Sequence, residues 1–249
     1  MNDIENETET ETTCLDIARC YDVIAGCYSD LAQYSKSISY HEKSLEIRLK
    51  IFGHGISHLD IASSYANIAL CCQEMEDYEK SLRYHDRCLV IRTGIYGRDS
   101  NHPDIAISFR DIANCYAYSG QYDKALRYFK HCLKMKTGNG EASLTLGDVI
   151  GAYNGIAICH QEMSNCKDAI AFHERSLDMI TNAIAENRYN KPDMAIVFRD
   201  IGTMYEAKGY RGKAEEFYKH SLCVHRFLFA DLPPDTPIVC QAARKLEML

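Results

Sequence analysis

The chain has 249 residues, 46% of them hydrophobic and 25% charged, with a formal net charge of −7. No apolar run approaches the roughly 18 residues that a membrane span requires, and the acidic N-terminus lacks the hydrophobic segment of a secretory signal. Asp3, Glu5, Glu7, Glu9 and Glu11 supply five of the negative charges, so the body is near neutral, which points away from nucleic acid or an anionic membrane as partner.

Residues 1–13 are acidic, Thr-rich and without periodicity, and read as a disordered arm. From residue 14 to 232 the sequence repeats. Tyr21, Tyr65, Phe109 and Tyr153 follow one another at steps of 44 residues, and Phe198 follows after 45. Ile24, Ile68, Ile112, Ile156 and Ile201 keep the same steps, as do Ala25, Ala69, Ala113, Ala157 and Gly202. In the second half of each unit, Tyr40, Tyr84, Tyr128, Phe172 and Phe217 align, and so do Leu45, Leu89, Leu133, Leu177 and Leu222. Apolar spacings of three and four residues predict two amphipathic helices per repeat, here called helix A and helix B. Repeats are expected at about 17–60, 61–104, 105–148, 149–193 and 194–234.

Local chemistry marks the boundaries. Pro103 and Pro192 suit a first helical turn, where the missing N–H is no loss, and Asp60, Asp104 and Asp193 put negative charge at the same end. Gly53, Gly97 and Gly138 suit helix stops, and Gly120 suits the turn between helices A and B. The connection Lys136–Gly147 has three Gly and no Pro, and predicts a looser junction. Residues 235–249, after Pro233-Pro234, read as a capping helix over the last apolar face. The segment 106–112 recurs 89 residues on as 195–201, which suggests duplication of a repeat pair.

Phe109, Ile112, Ala113, Tyr116, Ala125, Phe129 and Cys132 follow in order the pattern of the tetratricopeptide repeat, which the chain resembles over about 17–230. That repeat is usually ~34 residues; the extra residues here lengthen helix B and the loop after it. His102-Pro103-Asp104-Ile105-Ala106 and Tyr84–Leu89 resemble the long-repeat subfamily typified by kinesin light chains. The resemblance implies an all-α, right-handed α-solenoid of about five helix hairpins. It also implies a protein or peptide partner, with a kinesin or other cytoskeletal complex as the alternative; residues 1–13 are too short for the light chain's coiled coil.

The concave surface lined by helix A is the expected binding groove. Its candidate residues are Arg19, Asn67, Arg110, Asp111, Asn114, Tyr118, Asn154, Arg199 and Asp200. Arg and Asn can hold a peptide backbone or a carboxylate. Arg110 and Asn114 resemble half of the carboxylate clamp of chaperone-binding relatives, but Gly155 and Asp200 stand where the other half belongs. The Arg110-Asp111 and Arg199-Asp200 pairs also read as ion pairs between repeats.

His41, His85 and His173 share one helix B position, and repeat spacing of roughly 10 Å keeps them from sharing a metal. No phosphate-binding loop, nucleophile elbow or His-Glu-x-x-His occurs, so the sequence predicts no enzyme, metal or cofactor. The twelve cysteines form no Cys-x-x-Cys and read as reduced, small packing residues of a cytoplasmic protein.

Overall fold

A computed structural model of the chain describes residues 2–53, 57–98, 100–135, 144–185, 192–207 and 209–228. All ten helices it defines alternate A and B: α1 (Asn2–Asp30), α2 (Tyr34–Phe52), α3 (Leu59–Glu74), α4 (Tyr78–Tyr96), α5 (Pro103–Tyr118), α6 (Tyr122–Lys134), α7 (Leu146–Glu162), α8 (Cys166–Ala185), α9 (Pro192–Ala207) and α10 (Arg211–Leu228). Among the described residues there is no strand. The extra length of the repeat goes into helix B: α2, α4, α8 and α10 have 18 to 20 residues, against 16 or 17 in α3, α5, α7 and α9.

Every hairpin closes in one way. Ala32, Glu76, Gly120, Ser164 and Gly209 occupy equivalent positions, and all have positive φ, between 55° and 77°. The next N–H reaches back five residues, as in Gln33 N–H to Tyr28 O at 2.8 Å and Gln121 N–H to Tyr116 O at 2.8 Å. The positive-φ residue's own N–H also bonds back, as in Gly120 to Ala117 O at 3.0 Å. These two bonds form the Schellman stop, which satisfies carbonyls left over at the end of helix A. Glycine takes this conformation without a Cβ clash, so Gly120 and Gly209 are the relaxed versions of the turn.

Side chains cap the starts of α3, α4, α5 and α7. His58 Nδ1 accepts from Asp60 N–H, and His102 Nδ1 accepts from Asp104 N–H, both at 3.2 Å. Thr145 and Asp148 form a reciprocal capping box on α7. Gly53 and Gly97 end α2 and α4 with positive φ, as expected from the sequence.

The chain divides into two compact units, one of residues 1–124 and 130–143, the other of 125–129 and 144–249. In the first, α1 to α5 pack each on the next; in the second, α7 to α10 do the same. Such nearest-neighbour packing is that of a solenoid. The expected aromatic pairs bridge A and B within repeats: Tyr21–Tyr40 and Tyr65–Tyr84, with ring centroids 5.9 Å apart in both, and Tyr153–Phe172 and Phe198–Phe217, 6.1 Å apart in both. Beneath them Ala18, Ala25, Ala69, Ala113 and Ala157 are fully buried and let helix axes approach closely.

Residues 2–13 carry helical backbone as the start of α1. Glutamate is a good helix former, and carboxylates near a helix N-terminus meet the positive end of its dipole. Not all cysteines pack inside: Cys71, Cys72, Cys88, Cys115, Cys132 and Cys159 are buried, but Cys20, Cys27 and Cys223 are exposed. The capping helix at 235–249, the stop at Gly138 and most of the Lys136–Gly147 connection lie outside the described residues.

Candidate functional site

Helix A has a 3.6-residue period, so its outer positions fall at steps of three and four. In the first unit these are Asn67, Leu70 and Glu74 on α3, matched by Asp111, Asn114 and Tyr118 on α5. Asn67 and Asn114 are half-buried; Leu70 and Tyr118 are exposed. An exposed apolar side chain and an exposed ring thus stand beside two amides on equivalent faces.

The charged residues expected there are already engaged. Arg19 is exposed and reaches Asp16, one turn back on α1, at 2.7 Å. Arg110 Nη2 lies 3.2 Å from Asp111 Oδ1. In the second unit, Arg199 Nε and Nη2 lie 3.0 and 2.8 Å from Asp200 Oδ1. These ion pairs join neighbours along one helix. Burial raises the Asp200 carboxyl above its usual range, and Arg199 opposes the rise. Asn154 is half-buried on α7, and its Oδ1 is buried with no hydrogen-bond partner among the described residues.

Asp22, adjacent to these positions on α1, is half-buried. The His41 Nδ1–H donates to its Oδ1 at 3.0 Å, and Arg48 Nη2 meets its Oδ2 at 2.6 Å. Arg48 is itself buried and also donates to the Ser64 hydroxyl and to Asp60 O at 3.3 Å. Arg92 repeats this one repeat later, donating to Asp104 O at 2.9 Å and Ser108 Oγ at 2.8 Å. The 44-residue recurrence of Arg48 and Arg92 with Ser64 and Ser108 is the sequence signal for this bracket, and periodicity of apolar residues alone does not reveal it.

Three further buried side chains, Tyr218, His85 and His173, stand on helix B. Tyr218 is fully buried against Gly202, and its hydroxyl donates to Glu206 Oε2 at 2.7 Å. Burial and that carboxylate raise its pKa. His85 and His173, fully buried at the position shared with His41, have their pKa lowered to about 4. Burial is the main cause, with Arg92 and Arg199 adding to it. Both nitrogens of His173 lack a hydrogen-bond partner among the described residues. No group of three or more metal-ligating side chains occurs among the described residues, and no helix there is long and apolar enough to cross a membrane.

Residues 17–60 and 60–137 match models of the tetratricopeptide repeat. No curated protein sequence matches the chain significantly. Among solved structures it is similar to BtubC (BKLC) from P. vanneervenii, at 18% identity and a TM-score of 0.70, covering 93% of this chain and 94% of that one. It is also similar to a putative kinesin light chain with nearly identical TPR-like repeats from Podosopora anserina, at 15% identity and a TM-score of 0.65, covering 84% and 94%. Aspartyl phosphate phosphatase F from Bacillus subtilis gives 13% identity and a TM-score of 0.79, over 96% of this chain and 57% of that one. At such identities the likeness is one of fold. The matches to the tetratricopeptide repeat cover residues 17–137, and the helix hairpins through α10 have the fold of a tetratricopeptide-repeat solenoid.

Proposed function

We propose that the chain is a protein-interaction scaffold that holds an extended peptide or partner segment along helix A. The carrying observation is the exposed pair Leu70 and Tyr118 beside the half-buried amides of Asn67 and Asn114. Apolar and aromatic side chains supply anchoring area, and amides supply paired donors and acceptors for a peptide backbone. Arg110 and Asp111 border this surface in the first unit. Asn154, Arg199 and Asp200 are the corresponding candidates in the second. Arg19, held by Asp16, contributes less.

Nothing in this reading requires catalysis, a cofactor or a metal. A cytoplasmic location, read from the cysteines, and a kinesin or other cytoskeletal partner, implied by the resemblance, remain expectations; fold likeness at 15% identity adds no support of its own.

The test is selection of displayed 12- to 16-residue peptides on the intact chain, followed by affinity measurement on variants. Asn67→Ala, Asn114→Ala and Tyr118→Ala should each weaken selected peptides by about 1–2 kcal/mol, roughly five- to thirtyfold. Unchanged affinity in all three variants would exclude this surface.

A further inference from the structure

The recurrence over two repeats extends from the core to the outer face of helix A. Leu70, Gln73, Glu74 and Met75, in the last turn and cap of α3, return 88 residues on as Ile158, Gln161, Glu162 and Met163 of α7. Arg110-Asp111 on α5 returns 89 residues on as Arg199-Asp200 on α9. One repeat apart the same positions disagree: 44 residues after Leu70, Glu74 and Asp111 stand Asn114, Tyr118 and Gly155. Core residues recur every repeat because each helix packs like the last. Packing does not call for a period twice as long in exposed side chains.

The structure keeps the two copies alike. Leu70 is 45% and Ile158 42% exposed, and Met75 and Met163 are exposed as well. Glu74 and Glu162 are exposed, and Gln73 and Gln161 half-buried. The side chains of Arg110 and Asp111 are 24% and 15% exposed, those of Arg199 and Asp200 25% and 16%, and each pair closes along its own helix. Beneath them α4 packs on both α3 and α5, and α8 on both α7 and α9. His85 and His173 are buried at the same position of α4 and α8. One copy lies wholly in the first compact unit and the other wholly in the second.

The shared chemistry names the occupant. Leu70 with Met75, and Ile158 with Met163, offer exposed area to one apolar side chain. Glu74 and Glu162 stand one turn beyond Leu70 and Ile158. Among the described residues no basic side chain pairs with either glutamate; Glu74 accepts from the neutral Tyr34 hydroxyl at 3.4 Å. The Arg-Asp pairs cancel their own charge, so the unbalanced charge that the copies share is the glutamate. A basic residue beside the apolar one complements it.

We propose that the chain is bivalent: each unit holds one copy of the same short segment, an apolar residue beside a basic one, and the partner presents that motif twice. The proposal rests on the reading of helix A as a peptide-binding surface. The first copy is the tighter, because the second has Thr203 and Ala207 where the first has Asn114 and Tyr118.

The probe is a single-motif peptide recovered by display on the intact chain, titrated calorimetrically. Two peptides per chain are expected. Leu70→Ser and Ile158→Ser should each leave one site, and the double variant none. Because both side chains are already solvent-exposed, circular dichroism should show these variants folded. Glu74→Gln and Glu162→Gln should each weaken one site by about threefold, less at high salt. Two copies of the peptide joined by about twenty Gly/Ser residues should bind at least about tenfold tighter than one, and Ile158→Ser should remove that gain.

One peptide per chain, lost in only one of the two serine variants, overturns bivalence and leaves a peptide surface standing. Two peptides per chain that neither variant affects overturn both readings, as does a selection that returns no peptide. A peptide whose Lys or Arg is replaced by Glu, binding as tightly as before, overturns the basic residue of the motif. Two independent sites with no gain from the joined peptide overturn the partner that carries the motif twice.

Discussion

Arg48 and Asp22 meet at 2.6 Å, a guanidinium on α2 against a carboxylate on α1, and the same guanidinium reaches across to α3 through Ser64 and Asp60 O. One side chain thereby ties three consecutive helices. Arg48→Met removes the buried donor and leaves Asp22 with His41 alone. Because Asp22 keeps some solvent contact, the loss should be on the order of 2–3 kcal/mol, below the usual range for a fully buried pair. Urea unfolding of the variant measures it, and the double variant with Asp22→Leu should recover part of the loss.

The same carboxylate gives an acid limb to stability. Burial alone would raise its pKa, but the His41 hydrogen bond and the Arg48 charge together outweigh burial and hold it below the ordinary 3.8. A depressed acid contributes stability that is complete above its unfolded value and is lost as pH falls through the folded one. Asp22→Asn should therefore flatten the stability curve below about pH 4.

His85 and His173 act at higher pH. With folded values near 4 against an ordinary 6.5, the unfolded chain takes up their protons first as pH falls. Stability should drop between pH 6.5 and 4, by on the order of 3 kcal/mol for each histidine over the full interval. Melting temperatures at pH 7.5, 6, 5 and 4.5 follow this. His85→Gln and His173→Gln should each reduce the slope in that window; an unchanged slope in both would show that the histidines do not control it.

Two glycines inside helices should respond with opposite sign to alanine. A β-carbon at residue 155 would stand 2.2 Å from Phe129 Cζ, whereas at residue 26 nothing lies within 4 Å. Alanine favours helix over glycine by about 0.8–1 kcal/mol. Gly26→Ala should gain about that amount. Gly155→Ala should lose about 1–3 kcal/mol, because ring displacement outweighs propensity, and Phe129→Leu should relieve it.

The hairpin turns offer a stabilising change. Glu76 and Ser164 hold φ near 60°, where Gly120 and Gly209 serve in sister repeats. A side chain in that region carries strain of about 1–2 kcal/mol, partly offset by the extra chain entropy that glycine loses on folding. Glu76→Gly and Ser164→Gly should each stabilise by about 0.5 kcal/mol, read as a small rise in the urea midpoint.

Much of the architecture was legible without coordinates. The recurrence of Tyr21, Ile24 and Ala25 every 44 or 45 residues determined helix hairpins and which faces meet, because burial repeats with the helical period. Gly53 and Gly97 marked helix ends for a local reason, the backbone freedom of residues with no Cβ. What the sequence could not settle was the use of each polar residue. Asp22 is half-buried and held by His41 and Arg48, which come from 19 and 26 residues away. Arg110 and Arg199 each lie within reach of the adjacent carboxylate, a pairing that the apolar period does not reveal. The isoleucines at 17 and 24 carry the same pattern as those at 61 and 68, and only packing distinguishes an exposed pair from a buried one. Periodicity is local and belongs to the chain; which partner satisfies a charge, or covers an apolar stripe, depends on what folding brings beside it.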